Sequence, residues 1–262
     1  MYQAYWGLSH SPFAPAAIRQ LLDSQPQCGE ALARLDFLVE HKSRFGLLTG
    51  PAGSGKSLIL GEFVRRQREV GAAAAAVRAT GLSASDLLAE VAAVWGCDPA
   101  ASATSAVIWR RVADRLAEFR LEQVPAVLAL DDLDQAASDA RHAIQRLLQL
   151  PDVDLTVVAA ASDDGLSGLG RLVDHADLRV ELACWSVDDT RNYLSASLAS
   201  AGRQQTVFAE RAVQRLFQLS GGLPRRVGQL AQLALIAGAG QSQTQIDEQT
   251  VLAVHDELSA AR

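Results

Sequence analysis

Eight consecutive residues, Gly50-Pro51-Ala52-Gly53-Ser54-Gly55-Lys56-Ser57, restrict what this chain can become more than any other stretch. They fit the pattern G-x-x-x-x-G-K-[ST] and stand between an apolar run at 45–49 and an amphipathic stretch at 57–69. Glycines at these places let the backbone curl so that successive N–H groups converge on phosphate oxygens, and the start of a helix adds partial positive charge. In such a loop Lys56 reaches the β- and γ-phosphates and the Ser57 hydroxyl ligates Mg²⁺. A chance glycine-rich turn is the other reading, but it would need neither a strand before it nor a helix after it. ATP and Mg²⁺ are therefore the expected ligands of residues 50–57.

The strand–loop–helix unit repeats. Short apolar runs at 45–49, 73–78, 126–130, 155–161 and 178–183 predict strands. Stretches with apolar residues three and four apart at 30–41, 57–69, 85–95, 105–120 and 140–150 predict helices between them. Such alternation predicts an α/β fold of P-loop NTPase type, a parallel sheet sandwiched by helices. After Trp185 the strand signals stop. Helical patterns follow at 187–201, 210–219, 225–237 and 246–258, with Gly221-Gly222-Leu223-Pro224 as a C-cap and helix restart. We therefore divide the chain into a nucleotide-binding core with an N-terminal linker, 1–185, and a small all-α lid domain, 186–262.

Composition narrows the class further. Hydrophobic residues make up 49% and charged residues 21%, values at which a chain buries a core rather than staying disordered. The net charge of −6 gives no general drive toward nucleic acid or anionic lipid, though a local basic patch stays open. Cys28, Cys97 and Cys184 are odd in number and widely spaced, which argues against a disulfide framework and fits a reducing cytoplasm. Apolar stretches fall short of a membrane span, and the N-terminus lacks the basic and apolar regions of a secretory signal.

A second acidic element follows the predicted third strand, Val127-Leu128-Ala129-Leu130-Asp131-Asp132. Its position at the end of an apolar strand suits Asp131 to hold Mg²⁺ through water and Asp132 to polarise an attacking water. An acidic surface turn, 131–134, is the alternative.

Taken together these residues resemble an AAA+ ATPase, specifically the general secretion pathway protein A (ExeA-like) family. The opening Met1-Tyr2, Trp6-Gly7-Leu8 and Ser11-Pro12-Phe13 are similar to that family's start, and Glu30-Ala31-Leu32-Ala33-Arg34-Leu35 to the helix before its loop. Ser220-Gly221-Gly222-Leu223-Pro224-Arg225-Arg226-Val227 resembles its lid signature. The resemblance implies that Arg225 reads the γ-phosphate from the lid; on physical grounds alone Arg225 and Arg226 are a solvated first-turn pair. It also implies a strand-four polar sensor at Asp163 or Ser162, and leaves Arg171 or Arg179 as candidates for an arginine acting on a neighbouring protomer. Many ATPases of this build carry Glu where Asp132 stands, and the side chain shorter by one methylene points to slow or partner-stimulated hydrolysis. The sequence stops at Arg262, short of the transmembrane segment and peptidoglycan-binding module of longer members, so the motor is implied more firmly than a secretion role.

The expected function is ATP hydrolysis coupled to core–lid and partner rearrangement, in a homo-oligomer formed on nucleotide binding, with a secretion or cell-envelope client. The rivals are a DNA-associated AAA+ regulator of initiator or transposition type and a slow STAND-like nucleotide switch. His10, His41, His142 and His255 are scattered and form no recognisable constellation. Trp95 and Trp109 lie on apolar helix faces. Arg65, Arg66 and Arg68 read as a solvated helix face, with nucleic-acid contact the less favoured alternative.

Overall fold

A computed structural model describes residues 2–14, 25–97 and 103–260. The chain forms two compact units, one of residues 30–52 and 56–182, the other of residues 1–29, 53–55 and 183–262.

The first unit is a five-stranded parallel sheet of order β2-β3-β4-β1-β5, with β1 Phe45–Thr49, β2 Ala73–Arg78, β3 Ala126–Asp131, β4 Leu155–Ala160 and β5 Leu178–Glu181. Strands β1, β3 and β4 are buried almost throughout, as a sheet covered on both faces demands. Alternate residues serve opposite faces. Phe45, Leu47, Leu128, Leu130, Val157 and Ala159 share a core with α4 Ala84–Val94, α5 Ser105–Leu121 and α6 Ser138–Leu148. The residues between them face α2 Pro26–Glu40 and α3 Lys56–Glu69, whose Leu35, Leu38, Ile59 and Phe63 are buried. Gly46 belongs to this second set: a Cβ there would lie 2.2 Å from Leu38 Cδ1, so the missing side chain lets α2 lie close to β1. Helix α4 starts on a capping box between Ser83 and Asp86. Two short helices, α7 Leu166–Leu169 and α8 Arg171–Asp174, lead into β5.

The second unit holds α1 Tyr2–Trp6, α9 Val187–Ser200, α10 Glu210–Ser220, α11 Pro224–Gly240 and α12 Glu248–Ala260. Its core gathers Trp6, Phe13, Trp185, Tyr193, Leu216 and Leu230. The N-terminal segment, expected as a linker to the core, thus packs with the helices of this unit. Trp6 is 2% exposed, and its Nε1–H donates to the Leu235 carbonyl at 2.8 Å. The expected glycine break is present. Gly221 caps α10 at φ 63°, Pro224 opens α11, and Gly222 at φ 71° leaves no room for a Cβ, which would sit 2.3 Å from the Trp185 carbonyl oxygen. One expectation fails locally: the last helix starts at Glu248, because Ile246 forms a parallel bridge with Phe208. No helix among the described residues is long and apolar enough to cross a membrane.

Candidate functional site

Strand β1 delivers the chain to the glycine loop. Gly50, Gly53 and Gly55 adopt φ of 147°, 90° and 104°, a left-handed region that side chains with a Cβ enter only under strain. Lys56 opens the 14-residue helix α3 and is buried. Its Nζ donates to the Gly50 carbonyl at 2.7 Å and the Pro51 carbonyl at 3.0 Å, so the ammonium is held against its own loop. Burial pulls Lys56 below the ordinary lysine range, opposed by the nearby carboxylates of Asp163, Asp134, Asp132 and Asp131 in falling order. Ser57 follows as the second residue of the helix, with its side chain exposed.

Strand β3 delivers the acids. Asp131 closes the strand, and its Oδ1 is buried without a partner among the described residues. Asp132 follows in the left-handed region, φ 54° and ψ 42°. Asp and Asn enter that region more readily than other non-glycine residues, which gives a backbone reason for Asp here. Thr80 Oγ1 donates to Asp132 Oδ2 at 3.3 Å, and Arg78 Nε lies 3.7 Å from the same oxygen. Arg78 ends β2 in register with Asp131 and places Nη2 3.8 Å from Asp131 Oδ2. Neither Arg78 nor Thr80 stands out in the sequence. Their signal is positional, because a polar residue ending a strand next to β3 must meet the acids that end β3.

Strand β4 leads to Ser162 and Asp163. Ser162 Oγ donates to Asp134 Oδ2 at 2.5 Å, while Asp163 is exposed and is the carboxylate that acts most strongly on Lys56. Arg225 belongs to the other unit, as do residues 53–55, and its backbone N–H donates to the Gly53 carbonyl at 3.2 Å. Arg171 and Arg179 are exposed, and Arg179 Nη2 donates to the Val173 carbonyl at 2.6 Å. The basic run after the loop is engaged at home: Arg65 pairs with Glu62 and Glu69, Arg66 with Glu62, and Arg68 Nε donates to the Ala74 carbonyl at 2.7 Å.

The donor set suits a magnesium–triphosphate. Hydroxyl and carboxylate oxygens are ligands for a hard cation, and the unpaired Oδ1 of Asp131 can take a bond from a metal-bound water. Among the described residues Lys56 Nζ donates to two loop carbonyls, which phosphate oxygens can replace.

A parallel sheet with a glycine loop after β1 and paired acids after β3 defines a P-loop NTPase. Residues 26–158 match the AAA ATPase domain, and the chain belongs to that family. Over its whole length it is similar to the general secretion pathway protein A of Aeromonas hydrophila, 26% identical over 269 residues, so the ExeA-like resemblance extends through the chain. The match spans 48% of that relative, about half its length. Among solved structures, Aeropyrum pernix ORC2, determined as ADPNP and ADP complexes, matches at TM-score 0.68 and 16% identity, covering 91% of this chain and 69% of that one. Aeropyrum pernix ORC1 in complex with DNA matches at 0.67 and 18%, covering 92% and 69%. The Thermotoga maritima RuvB branch migration motor matches at 0.60 and 14%, covering 88% and 69%. At these identities the likeness establishes the fold.

Proposed function

We propose that the protein binds Mg·ATP at the loop 50–57, hydrolyses it slowly, and couples the nucleotide state to rearrangement of its helical unit and of partners. The observation that carries this reading is Lys56, held at the head of α3 by its own loop's carbonyls with four carboxylates acting on it. The N–H groups of residues 50–55 and Lys56 would bind the phosphates, and Ser57 and Asp131 would hold Mg²⁺, which supplies charge neutralisation on the phosphoryl oxygens. Asp132 orients and polarises the attacking water, while Arg78 and Thr80 fix its carboxylate. Asp163 is the sensor beside Lys56, and Arg225 carries a charge from the helical unit to the γ-phosphate. The division at 185/186 into core and lid, assembly into a homo-oligomer, residence in the cytoplasm and a secretion or envelope client complete the reading. Similarity to the Aeromonas protein supports the client class, and three unpaired cysteines support the compartment.

Calorimetry with Mg·ATP and phosphate release by wild type and Asp132→Asn test this reading. Wild type binds and turns over, whereas the variant binds with unchanged affinity and loses about 100-fold in turnover, a typical cost of removing a general base. Equal turnover in the two proteins removes Asp132 from the mechanism.

A further inference from the structure

Asp134 acts on Lys56 together with the three other acids, but unlike them it has no task of its own in the hydrolytic reading. It sits in the 3₁₀ turn Leu133–Gln135, anchored by Leu133, which is completely buried. Its Oδ2 accepts a hydrogen bond from Ser162 Oγ at 2.5 Å, across 28 residues of sequence. Ser162 and Gly165 close a turn of their own, with Gly165 N–H donating to the Ser162 carbonyl at 3.0 Å. That turn is pressed onto Asp134. A Cβ on Gly165 would lie 2.2 Å from Asp134 Oδ2 and 2.4 Å from Asp134 Cβ, although Gly165 has an ordinary φ of −86°. Glycine is needed there for space and not for conformation. Asp163, the carboxylate acting most strongly on Lys56, lies inside the clamped turn.

We propose that Asp134 is a positioning residue for ATP hydrolysis: through Ser162 and Gly165 it locks the turn after β4 to the turn after β3, so that Asp163 and the Asp131–Asp132 pair hold one fixed spacing opposite Lys56. The remaining oxygen of Asp134, Oδ1, is buried and takes no hydrogen bond from the described residues. One carboxylate oxygen thus serves the clamp. This inference rests on the hydrolytic reading of the site, and goes beyond it by assigning the link between the two turns.

The test uses the full chain with Asp134→Ala, Asp134→Asn, Ser162→Ala, the double alanine variant and Gly165→Ala, each compared with wild type for thermal unfolding, Mg·ATP affinity, KM and kcat. Misplacement of reacting groups by about 1 Å costs on the order of 100-fold, so Asp134→Ala should lose about 10- to 100-fold in kcat with Mg·ATP affinity nearly unchanged. Ser162→Ala should fall in the same way, and the double variant should fall no further than Asp134→Ala, because both remove one link. Asp134→Asn keeps an acceptor for Ser162 and should recover most of the loss. Gly165→Ala should copy Asp134→Ala. Additive losses, an Asp134→Asn variant as impaired as Asp134→Ala, or a Ser162→Ala variant with wild-type kcat each overturn the proposal. Should Asp134→Ala fail to fold, Ser162→Ala alone decides the matter. A wild type whose phosphate release equals that of Lys56→Ala overturns the ATPase reading instead, a result distinct from wild-type turnover that survives loss of the clamp.

Discussion

At the N-terminal ends of the strands, charged groups settle one another. Lys42 pairs with Asp154 at 2.9 Å, Asp177 accepts from the N–H groups of Arg44 and Phe45 at 2.8 and 3.0 Å, and Arg44 Nη2 donates to the Leu150 carbonyl at 2.8 Å; among the described residues at this end, Arg44 Nη1 alone is buried and unpaired. At the C-terminal ends, Asp131 and Asp134 each keep a buried oxygen without a partner among the described residues, Asp132 sits in left-handed backbone, and Lys56 turns back on its loop. Both ends contain acids and bases. One end has spent them on holding strands and loops together, whereas the other keeps unmet hydrogen-bonding capacity that a ligand can satisfy.

The two ends of the sheet part most widely in the response to Lys56→Ala. Losing a buried phosphate-binding charge costs roughly 2–5 kcal/mol, so Mg·ATP affinity should drop by about 30-fold or more, readable by calorimetry. Asp177→Ala should leave that affinity unchanged, and a joint loss of affinity in both variants would break the division of labour between the ends. In stability the order reverses. Asp177→Ala strands the N–H of Phe45, a residue 1% exposed, and should lower the unfolding free energy by about 1–3 kcal/mol in denaturant titration.

A smaller effect comes from pH. Because the folded chain holds Lys56 below the ordinary lysine range, the unfolded chain binds the extra proton between the two values, and stability there rises with pH. Penalised charge is fully present at neutral pH and is relieved as pH climbs toward the ordinary lysine value. The stability of wild type relative to Lys56→Met should therefore improve as pH is raised, in unfolding curves without nucleotide. Smallest of all, Asp154→Ala breaks an exposed pair and should cost less than about 1 kcal/mol, with no change in ATP affinity.

How much of this was legible depended on whether the information is local. Strands β1 and β2 fall where the apolar runs put them, and the motif at 50–57 predicted a strand before it and a helix after it, both present. Polar contacts between the ends of different strands were not legible. Arg78, Thr80 and Ser162 meet Asp132 and Asp134 only because β2 and β4 flank β3, an order that no run of residues spells out. Gly165 carries no local mark of its role, because its reason is the carboxylate 31 positions earlier. Ile246 carried a helical spacing, yet pairing with Phe208 drew it out of the helix. The opening residues were assigned to the core as a linker and pack instead with the helical unit, because five residues make too short a helix to show an apolar period.

The loop at Gly221 and Gly222 has a consequence for motion. Trp185 N–H donates to the Gly222 carbonyl at 2.8 Å, and Gly222 N–H is taken up by the Phe217 carbonyl at 3.3 Å and Ser220 Oγ at 3.2 Å. Backbone amides that are buried and bonded exchange with deuterium only when their surroundings open, whereas those of exposed loops exchange freely. The amides of Trp185 and Gly222 should therefore exchange on the slow timescale of α10 and α11, and this connection should open together with the helices it joins.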